Sequence, residues 1–166
     1  MVMPIINLGK TNPIEDGRQS QRALAVRRGV QRLFIDMGLT MLPEVTLASG
    51  RRADLMALTQ KGEFWIVEIK SSIQDMQIDR KWPEYRAFCD RLFFATLHDV
   101  PFEIFPQECG FMVSDGYGAE MLREAPHHPL AAASRKALLL RFARSGAQRM
   151  LAAELAGIDV ASLPDE

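Results

Sequence analysis

Asp54, Glu68 and Lys70 have the residue types and spacing of a phosphate-handling site. Asp54 lies in Arg52-Ala53-Asp54-Leu55, and the other two close the run Phe64-Trp65-Ile66-Val67-Glu68-Ile69-Lys70. Side chains alternate faces along a strand, so Glu68 and Lys70 share a face with Ile66, while Trp65, Val67 and Ile69 point the other way. The intervening Thr59-Gln60-Lys61-Gly62-Glu63 reads as a turn. A three-residue loop Gln60-Lys61-Gly62, with Gly62 left-handed, pairs Asp54 with Glu68 and Arg52 with Lys70. A two-residue turn at Lys61-Gly62 would instead set Asp54 opposite Ile69, on the wrong face.

Carboxylates placed opposite each other repel, and one of them would rather take up a proton than share a small volume with a second anion. A bound divalent cation removes the conflict. Oxygen ligands suit magnesium, manganese or calcium rather than zinc or copper, and magnesium commonly uses one or two carboxylates plus waters and substrate phosphates. The alternative is a set of charges at strand ends turned to water. Against it stands the run from Phe64 to Ile69, apolar except for Glu68, which is the pattern of a central strand covered on both faces.

The elements that must hold these residues follow from the rest of the chain. From Ser20 to Met37, Leu24, Ala25, Leu33 and Phe34 alternate with Arg22, Arg27, Arg28 and Arg32, and Gly38 supplies a stop, which predicts an amphipathic helix with an arginine-rich face. Pro43 to Leu47, Arg52 to Leu58 and Phe64 to Lys70 read as three consecutive strands. Pro83 suits the first turn of a helix from Trp82 to Asp90, after a short turn over Asp75 to Lys81. Leu92 to Ala95 and Phe111 to Val113 have strand length and complete a five-stranded mixed sheet. A last helix starts after Pro129 and runs towards Leu155, carrying Arg135, Lys136, Arg141, Arg144 and Arg149 beside Leu138, Leu139, Phe142 and Met150. The expected class is α/β (α+β with a mixed sheet), ordered helix, three-strand meander, helix, strand, strand, C-terminal helix.

A chain of 166 residues with 48% hydrophobic content has the size of one domain with one core. The expected organisation is a flexible segment over 1–18, a single domain over 19–156 and a tail over 157–166. A formal net charge of -1 excludes a global basic field, so any nucleic-acid surface must be local. No apolar run reaches the length of a membrane span and the start lacks a secretory pattern, so the expected location is cytoplasmic, with no membrane partner. Cys89 and Cys109 have neither zinc-site nor disulfide spacing and read as reduced packing residues. His127-His128 lies between Pro126 and Pro129 and reads as a surface loop.

The motif set Glu44, Gly50-Arg51-Arg52-Ala53-Asp54, Glu68-Ile69-Lys70-Ser71-Ser72 and Asp79-Arg80-Lys81-Trp82-Pro83-Glu84-Tyr85, leading to Cys89-Asp90, resembles the PD-(D/E)XK (restriction-endonuclease-like) nuclease superfamily. More narrowly it resembles the MmcB-type DNA repair proteins of bacteria, which the later Arg135-Lys136 and Arg141-Phe142-Ala143-Arg144 also match. The acid and E-x-K elements alone are weak patterns; joined to the Asp79–Tyr85 segment they are far more specific. Ala53 stands where the superfamily's eponymous proline would be, and the opening helix lacks the acid that some members use as an extra metal ligand. If Ala48-Ser49-Gly50 forms a three-residue loop, Glu44 falls opposite Asp54 and can substitute for that acid; with a two-residue Ser49-Gly50 turn it does not.

The resemblance implies a DNA repair nuclease in which Asp54, Glu68 and the Ile69 backbone carbonyl hold Mg2+ or Mn2+; Glu44 joins them only with the three-residue loop. The ion polarises a phosphoryl oxygen and activates water; Lys70 orients that water and stabilises charge on the phosphoryl oxygens. Arg51, Arg52, Lys81, Arg141 and Arg144 are the candidate phosphate contacts. For Arg51 a solvated turn is the alternative, and for the arginines of the first and last helices a solvated face. Trp82 and Tyr85 could stack on bases, but their spacing more often packs a helix on a sheet. Asp79 could cap that helix or assist the site. The implied partners are DNA and other repair proteins, and members of the superfamily are often dimeric. A different class remains open, a non-catalytic DNA- or protein-binding accessory that keeps the nuclease fold.

Overall fold

A computed structural model describes residues 20–159, so the segment 1–18 and all of the expected tail beyond residue 159 lie outside the described residues. Ser20 caps the first helix, α1 (Gln21–Asp36), its Oγ accepting from the Ala23 N–H at 3.1 Å. A meander follows, β1 (Thr40–Thr46), β2 (Arg52–Leu58) and β3 (Phe64–Ile69), paired antiparallel. A short α2 (Ile73–Ile78) and a 3-10 segment (Trp82–Phe88) cross over to β4 (Arg91–Leu97), which lies parallel to β3. A second 3-10 turn, Phe102–Ile104, leads to β5 (Gly110–Ser114), parallel to β4, and β6 (Ala119–Arg123) closes the far edge antiparallel to β5. The strands lie in chain order in one six-stranded sheet, and α3 (Ala132–Leu155) ends the described fold.

Alternation along the strands builds two cores. Leu55, Val67, Phe93 and Met112 pack under Val26, Val30 and Phe34 of α1. Met56, Ile66, Phe94 and Phe111 face Met76, Tyr85 and Leu138, with Phe142 packed against them. α1 settles closely because Gly29 has no side chain: a Cβ there would stand 2.0 Å from Ser114 Oγ and 2.3 Å from the Gly118 carbonyl oxygen. Asp90 fastens the crossover to the sheet. Its fully buried carboxylate accepts from the Phe64 N–H at 2.7 Å and the Leu130 N–H at 2.9 Å, and both terminal guanidinium nitrogens of Arg135 bind it.

Four local expectations are corrected. The sheet has six strands, not five: β6 is a half-exposed edge whose pairing with β5 makes it a strand although its sequence, Ala-Glu-Met-Leu-Arg, has no β-branched residue. The segment expected to be helical from Trp82 to Asp90 is a 3-10 turn ending at Phe88, since Asp90 is drawn into the sheet's hydrogen bonding. The Asp75–Lys81 turn is instead helix α2 over Ile73–Ile78, started where Ser72 Oγ accepts from the Asp75 N–H at 3.1 Å. The face of α1 expected to be arginine-rich is broken by Arg27, which is buried.

Candidate functional site

Both hairpins that set the site turn through three residues. The Thr59 N–H donates to the Glu63 carbonyl at 3.0 Å and the Gly62 N–H to the Thr59 carbonyl at 2.9 Å, with Gly62 at φ +83°. The resulting register pairs Leu55 with Val67 and Met56 with Ile66, and its continuation sets Asp54 beside Glu68. In the first hairpin the Leu47 N–H donates to the Arg51 carbonyl at 2.7 Å, and Gly50 has φ +85°. Val45 pairs with Ala53 and Pro43 with Leu55, so Glu44 falls opposite Asp54. Three carboxylates therefore occupy neighbouring positions on three adjacent strands.

Beyond the Leu55–Val67 pair, side chains take over from the backbone ladder. Asp54 Oδ2 accepts from the Ile69 N–H at 2.7 Å, and the Asp54 N–H donates to Glu68 Oε1 at 3.3 Å. Burial lifts the Asp54 carboxyl from an ordinary 3.8 to about 6, against the Ile69 N–H and Lys70, which lower it, and with Glu44, which raises it further. Burial likewise pushes Glu68 well above its ordinary value, reinforced by Asp54 and opposed by Lys70. Asp54 thus makes Glu68 harder to ionise, as Glu44 does Asp54.

Lys70 is buried, and its Nζ donates to Asp79 Oδ2 at 2.6 Å. Its backbone is clamped by β4: the Lys70 N–H donates to the Ala95 carbonyl at 3.0 Å, and Thr96 Oγ1 donates to the Lys70 carbonyl at 2.6 Å. Burial alone would raise Asp79, but the hydrogen bond and charge of Lys70, with the N–H groups of Lys81 and Trp82, hold it below the usual carboxylate range. Arg52 pairs across to β1 with Glu44, Nη2 to Oε1 at 3.5 Å. Ile69 supplies its N–H to Asp54 while its side chain enters the α1-side core.

Glu44 has φ +53°, a left-handed conformation found in no other non-glycine among the described residues. α3 holds this bend: Arg149 Nη2 donates to the Glu44 carbonyl at 2.7 Å and Nη1 to the Pro43 carbonyl. Glu44 Oε1 is buried, with no hydrogen-bond partner. A cleft of about 290 Å³ opens here, lined by Glu44, Thr46, Arg141, Ser145, Gln148 and Arg149.

The remaining candidates are spread out. Arg51 is partly exposed: its Nε binds Glu84 Oε2 and its guanidinium lies over the Tyr85 ring at 5.9 Å. Arg141 Nη1 donates to the Thr46 carbonyl at 2.9 Å, at the mouth of the cleft. Lys81 is exposed beside Asp79, and Arg144 is exposed on the outer side of α3. Trp82 packs edge-on against Phe94, 5.6 Å between centroids. Buried Tyr85 donates its hydroxyl to the Arg52 carbonyl at 2.9 Å; burial, then Glu68 and Asp54, raise its pKa. Cys89 and Cys109 are buried free thiols, and His127 Nε2 lies 3.4 Å from Glu63.

Sequence reasoning missed Arg149, which positions Glu44, and left Asp79, the ion-pair partner of Lys70, open between capping a helix and assisting the site. Arg149 was legible in principle: it follows the buried Leu138 and the core-packed Phe142 by eleven and seven residues, on the same side of α3.

The donor set suits a hard cation. Asp54, Glu68 and Glu44 offer carboxylate oxygens, one of them buried without a hydrogen bond, and burial already makes the first two resist ionisation. No three His, Cys, Asp or Glu side chains among the described residues converge in ligating geometry. That leaves the one or two carboxylates that magnesium commonly takes. No helix among the described residues is long and apolar enough to cross a membrane.

Among curated proteins none matches this chain. Among solved structures it is similar to the SPO1766 protein of unknown function from Silicibacter pomeroyi. The two are 38% identical, with 88% of this chain and 97% of that one covered and a TM-score of 0.79. Residues 10–157 match the family described as DNA repair protein MmcB-like, a span that contains Glu44, Asp54, Glu68, Lys70 and Asp79. The chain therefore belongs to the MmcB-like family of DNA repair proteins.

Proposed function

We propose that the protein is a metal-dependent nuclease of DNA repair, with the restriction-endonuclease-like active site centred on Asp54, Glu68 and Lys70. The observation that carries this reading is the opposition of Asp54 and Glu68 at the parting of β2 and β3, with Lys70 anchored one step beyond. Asp54 and Glu68 would hold Mg2+ or Mn2+ with the Ile69 carbonyl, and Glu44 would join them only on a shift of its side chain away from Arg52. Such an ion, when bound, supplies Lewis-acid polarisation of the scissile phosphate and a water of lowered pKa. Lys70, held in place by Asp79, orients that water and stabilises charge on the phosphoryl oxygens. Arg52 and exposed Lys81 flank the site as phosphate contacts, and Arg141 lines the adjoining cleft. Arg51, in an exposed pair with Glu84, would have to exchange that partner to serve as a further phosphate contact.

A second reading, a non-catalytic DNA- or protein-binding accessory of repair, is favoured by the lack of three converging ligands among the described residues. Incubation with single-stranded, nicked and branched DNA in magnesium or manganese separates the two. Cleavage lost in Asp54→Ala, Glu68→Ala and Lys70→Ala supports the nuclease. Binding without cleavage of any substrate supports the accessory. Calorimetric titration of either ion into the wild type and Asp54→Ala locates the metal independently of turnover.

A further inference from the structure

α3 is apolar on two opposite sides. Leu138, Phe142 and Ala153 turn to the sheet. At 100° per residue, Leu140, Ala143, Ala147, Leu151 and Leu155 fall within about 60° of a line on the opposite side, in an arc that also carries Lys136, Arg144 and Glu154. That stripe faces solvent: Leu140 is 57% exposed, Leu151 54% and Leu155 79%, and Ala143 and Ala147 are also exposed. Leu139 and Met150 widen it along one flank. A helix apolar on both sides is normally covered on both.

We propose that this stripe is a homodimer interface, in which α3 of one copy lies antiparallel against α3 of a second copy across a two-fold axis level with Arg149. Shape and charge select that arrangement. With the axis there, Leu151 of each copy meets Ala147 of the other and Leu155 meets Ala143, so large side chains enter the gaps left by small ones. The same register sets Arg144 against Glu154 of the other copy, twice. Both are exposed, and neither has an ion pair within the chain among the described residues. Shifting the helices by one turn sets Arg144 against Met150 or Ile158, and a parallel pair sets Arg144 beside Arg144. The charge pair therefore fixes orientation, while the stripe supplies burial. One pair of helices makes a small interface, so association belongs in the micromolar range. This inference is independent of the nuclease reading.

The test is sedimentation equilibrium of the full 166-residue chain from about 1 to about 100 μM. A monomer–dimer equilibrium is expected, abolished by Leu151→Glu. Arg144→Glu should raise the dissociation constant at least about tenfold, and Arg144→Glu/Glu154→Arg should restore it. Circular dichroism checks that each variant is folded, and the charge swap keeps the test valid should Leu151→Glu misfold. A monomer at every concentration, a dimer indifferent to Leu151→Glu, or a swap that fails to restore association overturns the proposal.

Discussion

Lys70 and Asp79 form a 2.6 Å ion pair in which the side chains are only 11% and 16% exposed. The lysine of the E-x-K run is thus anchored by the first residue of the Asp79–Tyr85 segment, outside the sheet. Asp79 also accepts from the Lys81 N–H at 3.0 Å, so one carboxylate opens the 3-10 turn and holds the amine. Asp79→Asn keeps the shape and that cap while removing the charge. Cleavage should fall about 10- to 100-fold, as for other residues that orient an active-site group, with the fold retained. An unchanged rate in a variant of normal circular dichroism would reduce Asp79 to a turn residue.

The acids of the site should destabilise the metal-free protein. Asp54 has a folded pKa of about 6 against an ordinary 3.8, and Glu68 is shifted in the same direction. Around pH 5 the folded state therefore binds more protons than the unfolded one, and stability falls as pH rises through about 6. Asp54→Asn and Glu68→Gln preserve an oxygen for the Ile69 and Asp54 N–H groups and remove a buried charge. Each should stabilise the metal-free protein at pH 8 by about 1–3 kcal/mol, the gain from Asp54→Asn shrinking by pH 5. Thermal melts in chelator at both pH values measure this, and a lower melting temperature at pH 8 for both variants would contradict it.

The placement of Asp54, Glu68 and Lys70 on one face was legible because two-residue periodicity and one odd loop determine it, and both hairpins close with a glycine at positive φ. Glu44 stayed open in the sequence because its place depended on whether the loop held two residues or three. The partners of Lys70 and Glu44 were not legible. Asp79 and Arg149 reach them across 9 and 105 residues of chain, and only the crossover after β3 and the docking of α3 create those contacts. β6 escaped for the related reason that its pairing, not its composition, makes it a strand.

Strain at Glu44 predicts an inverted order of substitutions. Within a strand, glycine is ordinarily less favourable than alanine by about 0.5–1 kcal/mol. At φ +53° the preference reverses, because an L side chain in the left-handed region costs about 1 kcal/mol or more while glycine does not. Glu44→Gly should therefore be more stable than Glu44→Ala by about 1 kcal/mol in urea unfolding, although both lose the ion pair with Arg52. Both should also weaken manganese binding, if the strain exists to present this carboxylate to a metal. The ordinary order, with alanine the more stable, would show that the bend relaxes at no cost.

Asp90 should govern acid stability. Burial would raise its carboxyl, yet the Arg135 guanidinium and the Leu130 and Phe64 N–H groups outweigh it and hold the pKa at about 2 against an ordinary 3.8. A depressed folded pKa adds stability that is fully present above about pH 4 and is lost as pH falls towards 2. Asp90→Asn keeps one acceptor but turns an amide towards a donor and leaves Arg135 without its counter-charge. It should cost about 3–5 kcal/mol at pH 7, a gap that narrows steadily between pH 4 and pH 2 as the wild type loses the same ion pair. Urea unfolding of both proteins from pH 7 down to pH 2 follows the gap. A difference independent of pH would mean that Asp90 acts through its shape and hydrogen bonds rather than through its charge.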